Sequence, residues 1–179
     1  ALKRDTPRHM IILCRDAQIN MGFLHKAEAM SHLLDSPLSL EQIMRCGDAC
    51  LLNGWLTQAL EVYRYAGVEI PPNKLIKCGE LLIRRTMFTD AQEAYKLAYV
   101  RFPIEQVNET GDFWFEKGWW CLDLALKAYI LSGDKKRLLA CGYALLNAGN
   151  LFKALKAYSA ARKSIPPEYL MLYADTCIK

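Results

Sequence analysis

Glycine returns along this chain on a nearly constant beat, at Gly22, Gly54, Gly118 and Gly149, with Thr86 standing in the one slot that lacks it. The intervals are 32, 32, 32 and 31 residues, and alanine follows five residues later in four of the five cases, at Ala27, Ala59, Ala91 and Ala154. A fixed period of this length means one small structural unit copied and stacked, since a single copy cannot bury its apolar face alone. Such an array offers extended surfaces rather than one deep pocket.

Each unit has its own grammar. In the clearest copy, Ser39 is an N-cap residue with Gln42 three places on, the pattern of a capping box. Ile43, Cys46, Cys50 and Leu51 follow at helical spacing. Asn53-Gly54 then stops the first helix, because glycine accepts the left-handed conformation of a helix stop. Leu56, Ala59, Leu60, Tyr63 and Ala66 form the stripe of a second helix, which Gly67 and Pro71-Pro72 end. Helical hairpins are therefore expected over 8–39, 40–71, 72–103, 104–134 and 135–166, with 167–179 as the first helix of a sixth unit, so the chain reads as a cut from a longer solenoid. The first copy carries Ser31 in place of the tyrosine. In the fourth, Asp123 and Lys127 fill the alanine and tyrosine slots, while Ala125 and Tyr129 lie two residues later. A local change of helix register or a longer turn is expected there, beside the aromatic run from Phe113 to Trp120, which either packs or binds.

Composition removes several function classes. With 53% hydrophobic and 23% charged residues the 179-residue chain is expected to fold throughout. No apolar run approaches the roughly 20 residues of a membrane span, and Ala1 to Asp5 opens no signal-peptide pattern. A net charge of +4 is too small to imply nucleic acid. The seven cysteines are odd in number and form no CxxC pair. Cys14, Cys46, Cys78 and Cys141 keep step with the beat, eight residues before four of the five slots, which reads as packing in a reducing cytoplasm. His9, His25 and His32 have no metal spacing, and GxxxxGK[ST], GxSxG and HExxH are all missing. No enzyme activity, metal or cofactor is expected.

Gly47, Ala59, Tyr63, Ala66 and Pro71 match the slots of a known helical hairpin, as do Gly79, Ala91, Tyr95, Ala98 and Pro103, and again Gly142, Ala154, Tyr158, Ala161 and Pro166. In these residues the chain resembles the tetratricopeptide repeat family. It diverges in its period of 32 against about 34 in the family. It also carries Ile43, Leu75 and Leu138 where the family has a large aromatic. The resemblance implies an all-α, right-handed α-solenoid of stacked antiparallel hairpins whose first helices line a concave groove.

On that reading three rows face the groove. One holds Ile12, Met44 and Ile76, continued by Asn108, Leu139 and Met171. The second is a carboxylate ladder of Asp16, Asp48, Glu80 and Asp112, with Tyr143 and then Asp175. The third is Ile19, Leu51, Ile83, Phe115 and Leu146, ending at Ile178. Family members that hold acidic tails use cations in the groove, whereas an apolar and acidic groove favours a basic amphipathic helix or peptide. RNA phosphates would meet the carboxylates and are disfavoured. The expected function is a non-catalytic protein-interaction scaffold in a larger complex, without membrane insertion. The alternatives are a structural segment touching its partners through its edges, and an RNA-binding helical repeat.

Overall fold

The computed structural model describes residues 6–178, apart from the side chains of 172 and 175–178. The opening residues Ala1 to Asp5 and the side chains of the groove positions Asp175 and Ile178 therefore lie outside what is described. The described residues form eleven α-helices and no strand. Helix α1 (Arg8–Asn20) packs on α2 (Leu24–Leu33), and α3 (Leu40–Leu52) packs on α4 (Leu56–Ala66). Helix α5 (Pro72–Arg84) meets α6 (Phe88–Leu97) where Gly79 lies against Tyr95. Helix α7 (Ile104–Glu116) packs on α8 (Leu122–Ser132), α9 (Lys135–Asn147) on α10 (Leu151–Ala160), and α11 (Pro167–Ile178) on α9. The chain divides into two compact units, one of residues 1–82 and 89–101, the other of residues 83–88 and 102–179.

The glycine beat marks where each first helix ends. Gly22, Gly54, Gly118 and Gly149 have φ of +83°, +72°, +103° and +75°, and Thr86 in the remaining slot has +59°. A helix that must reverse leaves the right-handed region there, and the following amides recover its last carbonyls. The Trp55 amide donates to the Cys50 carbonyl and the Asn150 amide to that of Leu145, at 2.9 and 2.8 Å. A second set of left-handed residues ends the second helices: Asp35, Gly67, Tyr99, Gly133 and Arg162, at +49°, +68°, +56°, +70° and +57°. Only two of these five are glycine. In the fourth hairpin a 3₁₀ turn at Trp119–Cys121 lengthens the connection. That puts the buried Ala125 and Tyr129, rather than Asp123 and Lys127, in the packing slots.

The glycines inside the first helices do something different. A Cβ built on Gly47 would stand 2.6 Å from the Tyr63 ring. The nearest ring atoms lie at 2.6 Å for Gly79 and Tyr95, 2.5 Å for Gly111 and Tyr129, and 2.8 Å for Gly142 and Tyr158. The two helices of each hairpin thus close over a buried tyrosine through a notch that a side chain would fill. The first hairpin exchanges both partners, with Arg15 in the glycine slot and the buried Ser31 in the tyrosine slot. Cys46, Cys78 and Cys141 are buried, in keeping with a packing role.

Candidate functional site

The three rows expected on the first helices have different fates. Ile12 is exposed, and Met44 and Ile76 are half-buried, so this row is available to a ligand. The third row is not. Ile19, Leu51, Ile83 and Leu146 are buried, while Phe115 is half-buried and tilts against the Tyr129 ring at 6.4 Å. The four buried residues are core, because this side of their helices is covered by packing, and at these positions they correct the expectation of a third groove row.

Two rungs of the carboxylate ladder, Asp48 and Asp112, are built into the hairpins as internal clamps. Asp48 accepts hydrogen bonds from the Tyr63 hydroxyl and from Lys74 Nζ, the latter at 2.6 and 2.7 Å. Lys74 stands in the first turn of α5, 26 residues on. Asp112 repeats the arrangement: Tyr129 donates its hydroxyl at 2.8 Å, and Arg137, in the first turn of α9, donates Nε at 2.8 Å and Nη2 at 2.7 Å. The forked guanidinium suits a carboxylate and makes this a strong charge-assisted pair. Its hydrogen bonds hold the Asp112 carboxyl below the usual carboxylate range, with the Tyr129 hydroxyl helping. Burial first, and then Asp112, pushes the Tyr129 hydroxyl far up, and burial with Asp48 raises Tyr63. Asp16 takes Arg15 Nε at 3.3 Å, and Tyr143 packs against Tyr169 with centroids 4.9 Å apart. Glu80 adds its charge to burial in raising the Tyr95 hydroxyl, and Gln106, not a cation, lies 26 residues further on. The ladder is therefore charge-compensated at Asp48 and Asp112, since each acid ties its own tyrosine to the helix that follows.

A second row lies at the hairpin turns. Phe23, Trp55, Met87 and Trp119 each directly follow a left-handed slot, at intervals of 32 residues, and all four are exposed. In the first unit Phe23 stacks on Trp55 at 5.6 Å, Lys26 Nζ sits 4.5 Å above the Phe23 ring, and Met21 and Leu52 are exposed beside them. The second unit carries Met87 and an edge-to-face pair, Trp119 and Trp120, at 5.5 Å. There Lys117 Nζ lies 5.0 Å from the exposed Phe113 ring. Two exposed tryptophans in contact are a large apolar surface for water to cover, and tryptophan is enriched where interfaces concentrate their energy. The signal was in the sequence: the residue after each beat is large and apolar four times running. The fifth hairpin departs, with Asn150 capping α10 by accepting from the Lys153 amide.

A cleft of about 420 Å³ between α3 and α5 is lined by Leu51, Leu52, Cys78 and Leu81, with Asp48, Lys74 and Lys77 at its polar side. Among the described residues no three His, Cys, Asp or Glu side chains are grouped to hold a metal ion, and no helix is long and apolar enough to cross a membrane. Comparison with protein-family models, with curated proteins and with solved structures gives no match to this chain.

Proposed function

We propose that this chain is a non-catalytic interaction scaffold, a divergent tetratricopeptide-like helical repeat, and that it touches its partners through the turn edges of its hairpins. The observation that carries this reading is the row Phe23, Trp55, Met87 and Trp119, which repeats the exposure of a large apolar residue at the same turn position. A residue needed only for packing would be covered. Two further observations support an edge over the first-helix groove: Asp48 and Asp112 spend their charge internally, and Ile19, Leu51, Ile83 and Leu146 of the third apolar row are buried. The free thiols suit a reducing compartment such as the cytoplasm, and an edge used this way suits one segment of a larger complex.

A basic amphipathic segment bound along the first helices is the second reading. It is favoured by the accessible row of Ile12, Met44 and Ile76 beside Glu80, the acid with no cation in step with Lys74 and Arg137. The test is affinity capture with three forms of the chain, with and without RNase: wild type, Met87→Ser/Trp119→Ser/Trp120→Ser, and Glu80→Lys. Each is first matched in circular dichroism. Partners lost from the edge variant alone support the edge reading. Partners lost with Glu80→Lys alone transfer the function to the groove, and RNase-sensitive capture transfers it to RNA.

A further inference from the structure

Two neighbouring second helices are tied together by charge where the array continues from α8 to α10. Lys153, near the start of α10, donates to the carboxylate of Asp123 in the first turn of α8. Asp123 stands two residues before the buried Ala125, and Lys153 one residue before the buried Ala154. Counted from the buried Ala27 and Ala59, the same two positions on α2 and α4 hold His25 and Gln58, a pair without opposite charges. The gap between α2 and α4 stays open as a cleft of about 530 Å³, with both residues in its walls. It lies between two adjacent hairpins, so a further hairpin stacked at either end of the array would leave it open.

The buried Leu24 and Val62 floor this cleft, and the exposed rings of Phe23 and Tyr65 stand in its walls. Its charges are unequal, with the carboxylates of Glu28 and Glu61 against the single ammonium of Lys26. Lys26 Nζ already sits 4.5 Å above the Phe23 ring. Glu28 faces His25 Nδ1 at 3.4 Å and raises the Tyr65 hydroxyl. Glu61 is exposed and makes no ion pair among the described residues. A smaller cavity of about 220 Å³ shares Glu28 and Tyr65 with the cleft and adds Asp35, with no lysine or arginine.

We infer that the cleft between α2 and α4 seats one arginine side chain of a partner segment that crosses the turn edge at Phe23 and Trp55. The arginine stem lies on Val62, its guanidinium plane on the Tyr65 ring and its fork on Glu61. Arginine suits the cleft better than lysine, because its planar and weakly hydrated head both stacks on an aromatic face and forks onto a carboxylate. This inference rests on the edge reading and names what the partner carries beside its apolar contacts.

The test uses the whole 179-residue chain, isotope-labelled for amide chemical shifts, and two blocked peptides. One is acetyl-Leu-Arg-Leu-amide, and the other carries citrulline in place of arginine, which keeps the shape and loses the charge. Saturable shifts are expected at the amides of Lys26 and Val62, with the arginine peptide about three- to tenfold tighter, the scale of one exposed ion pair plus a cation–π contact. Glu61→Gln should erase that preference and leave the citrulline peptide unchanged. His25→Asp with Gln58→Lys, which copies the Asp123–Lys153 tie, should close the cleft and abolish the shifts while circular dichroism is unaltered. Trp55→Ser should weaken both peptides and keep their ratio; a ratio kept with neither peptide weakened supports the arginine seat and counts against the edge. Equal affinity of the two peptides, no saturable shift, or a preference unmoved by Glu61→Gln overturns the inference. So does a gain in affinity on Lys3→Ala with Arg4→Ala, since the chain's own first residues would then hold the seat.

Discussion

Replacing Gly47 by alanine sets two opposed effects against each other, and the structure decides the sign. In the interior of a helix alanine is more stable than glycine by about 0.5–1 kcal/mol. Against that, the new Cβ would lie 2.6 and 2.7 Å from two Tyr63 ring carbons and 3.3 Å from Val62 Cγ1. Carbon atoms rest at about 3.5–4.0 Å, so the ring would have to retreat by about 1 Å. It has nowhere to go: Tyr63 is buried, its hydroxyl is held by Asp48, and Asp48 is held by Lys74. Helices α3 and α4 must part instead, and overpacking of this kind costs about 1–3 kcal/mol. The net expectation is a loss of about 0–2.5 kcal/mol, centred on about 1 kcal/mol, after the gain in helix propensity. Urea unfolding followed by far-ultraviolet circular dichroism reads it as a lower midpoint at unchanged slope. In a Tyr63→Ala background the same change should instead stabilise by about 0.5–1 kcal/mol, because the obstruction is gone. A stabilising Gly47→Ala in the native background would refute the close approach, for propensity alone would then explain it.

Three further outcomes follow from the same geometry. Thr86→Gly, at φ +59°, removes left-handed strain of about 1–2 kcal/mol at a glycine entropy cost of about 0.5–1 kcal/mol, so unfolding should shift to higher denaturant. Asp112 and Asp134 are both held low by hydrogen bonds from Arg137, its backbone amide leading at Asp134. A carboxyl whose folded pKa is depressed stabilises the fold above its unfolded value, near 3.9, and loses that contribution as pH falls through the lower folded value. Acid titration of stability should therefore be shallower in Arg137→Met, and an unchanged profile would count against the clamp. Under native conditions the half-buried Cys14 and Cys121 should react with a thiol reagent well before the buried Cys46, Cys78 and Cys141. Burial, with Asp123 nearby, pushes the Cys141 thiol up to about 12, so its early labelling would contradict the packing.

The repeat was legible because its stops are written in single residues. A position that must take positive φ favours glycine, so Gly22, Gly54, Gly118 and Gly149 announce the first-helix ends, and their spacing exposes Thr86 as the exception. Helical periodicity located the stripes of Ala59 and Tyr63 in the same way, and the doubled register at Ala125 and Tyr129 showed where a turn had lengthened. The second set of left-handed residues is only partly legible: Gly67 marks the end of its helix, whereas Tyr99 and Arg162 are residue types with no preference for that conformation. The acids could be seen as a row, but their partners could not. Lys74 and Arg137 pair with Asp48 and Asp112 across 26 and 25 residues, and the in-step positions 42 and 106 are glutamine, so no period betrays the cations. Nor could spacing separate the accessible Ile12 and Met44 from the buried Ile19 and Leu51, since both rows are apolar at helical intervals. Backbone conformation is a property of each residue and its near neighbours, and the sequence by itself determined it. Which side chain is covered, and which charge is already answered, depends on what packs against it through space, and only the tertiary structure decided that.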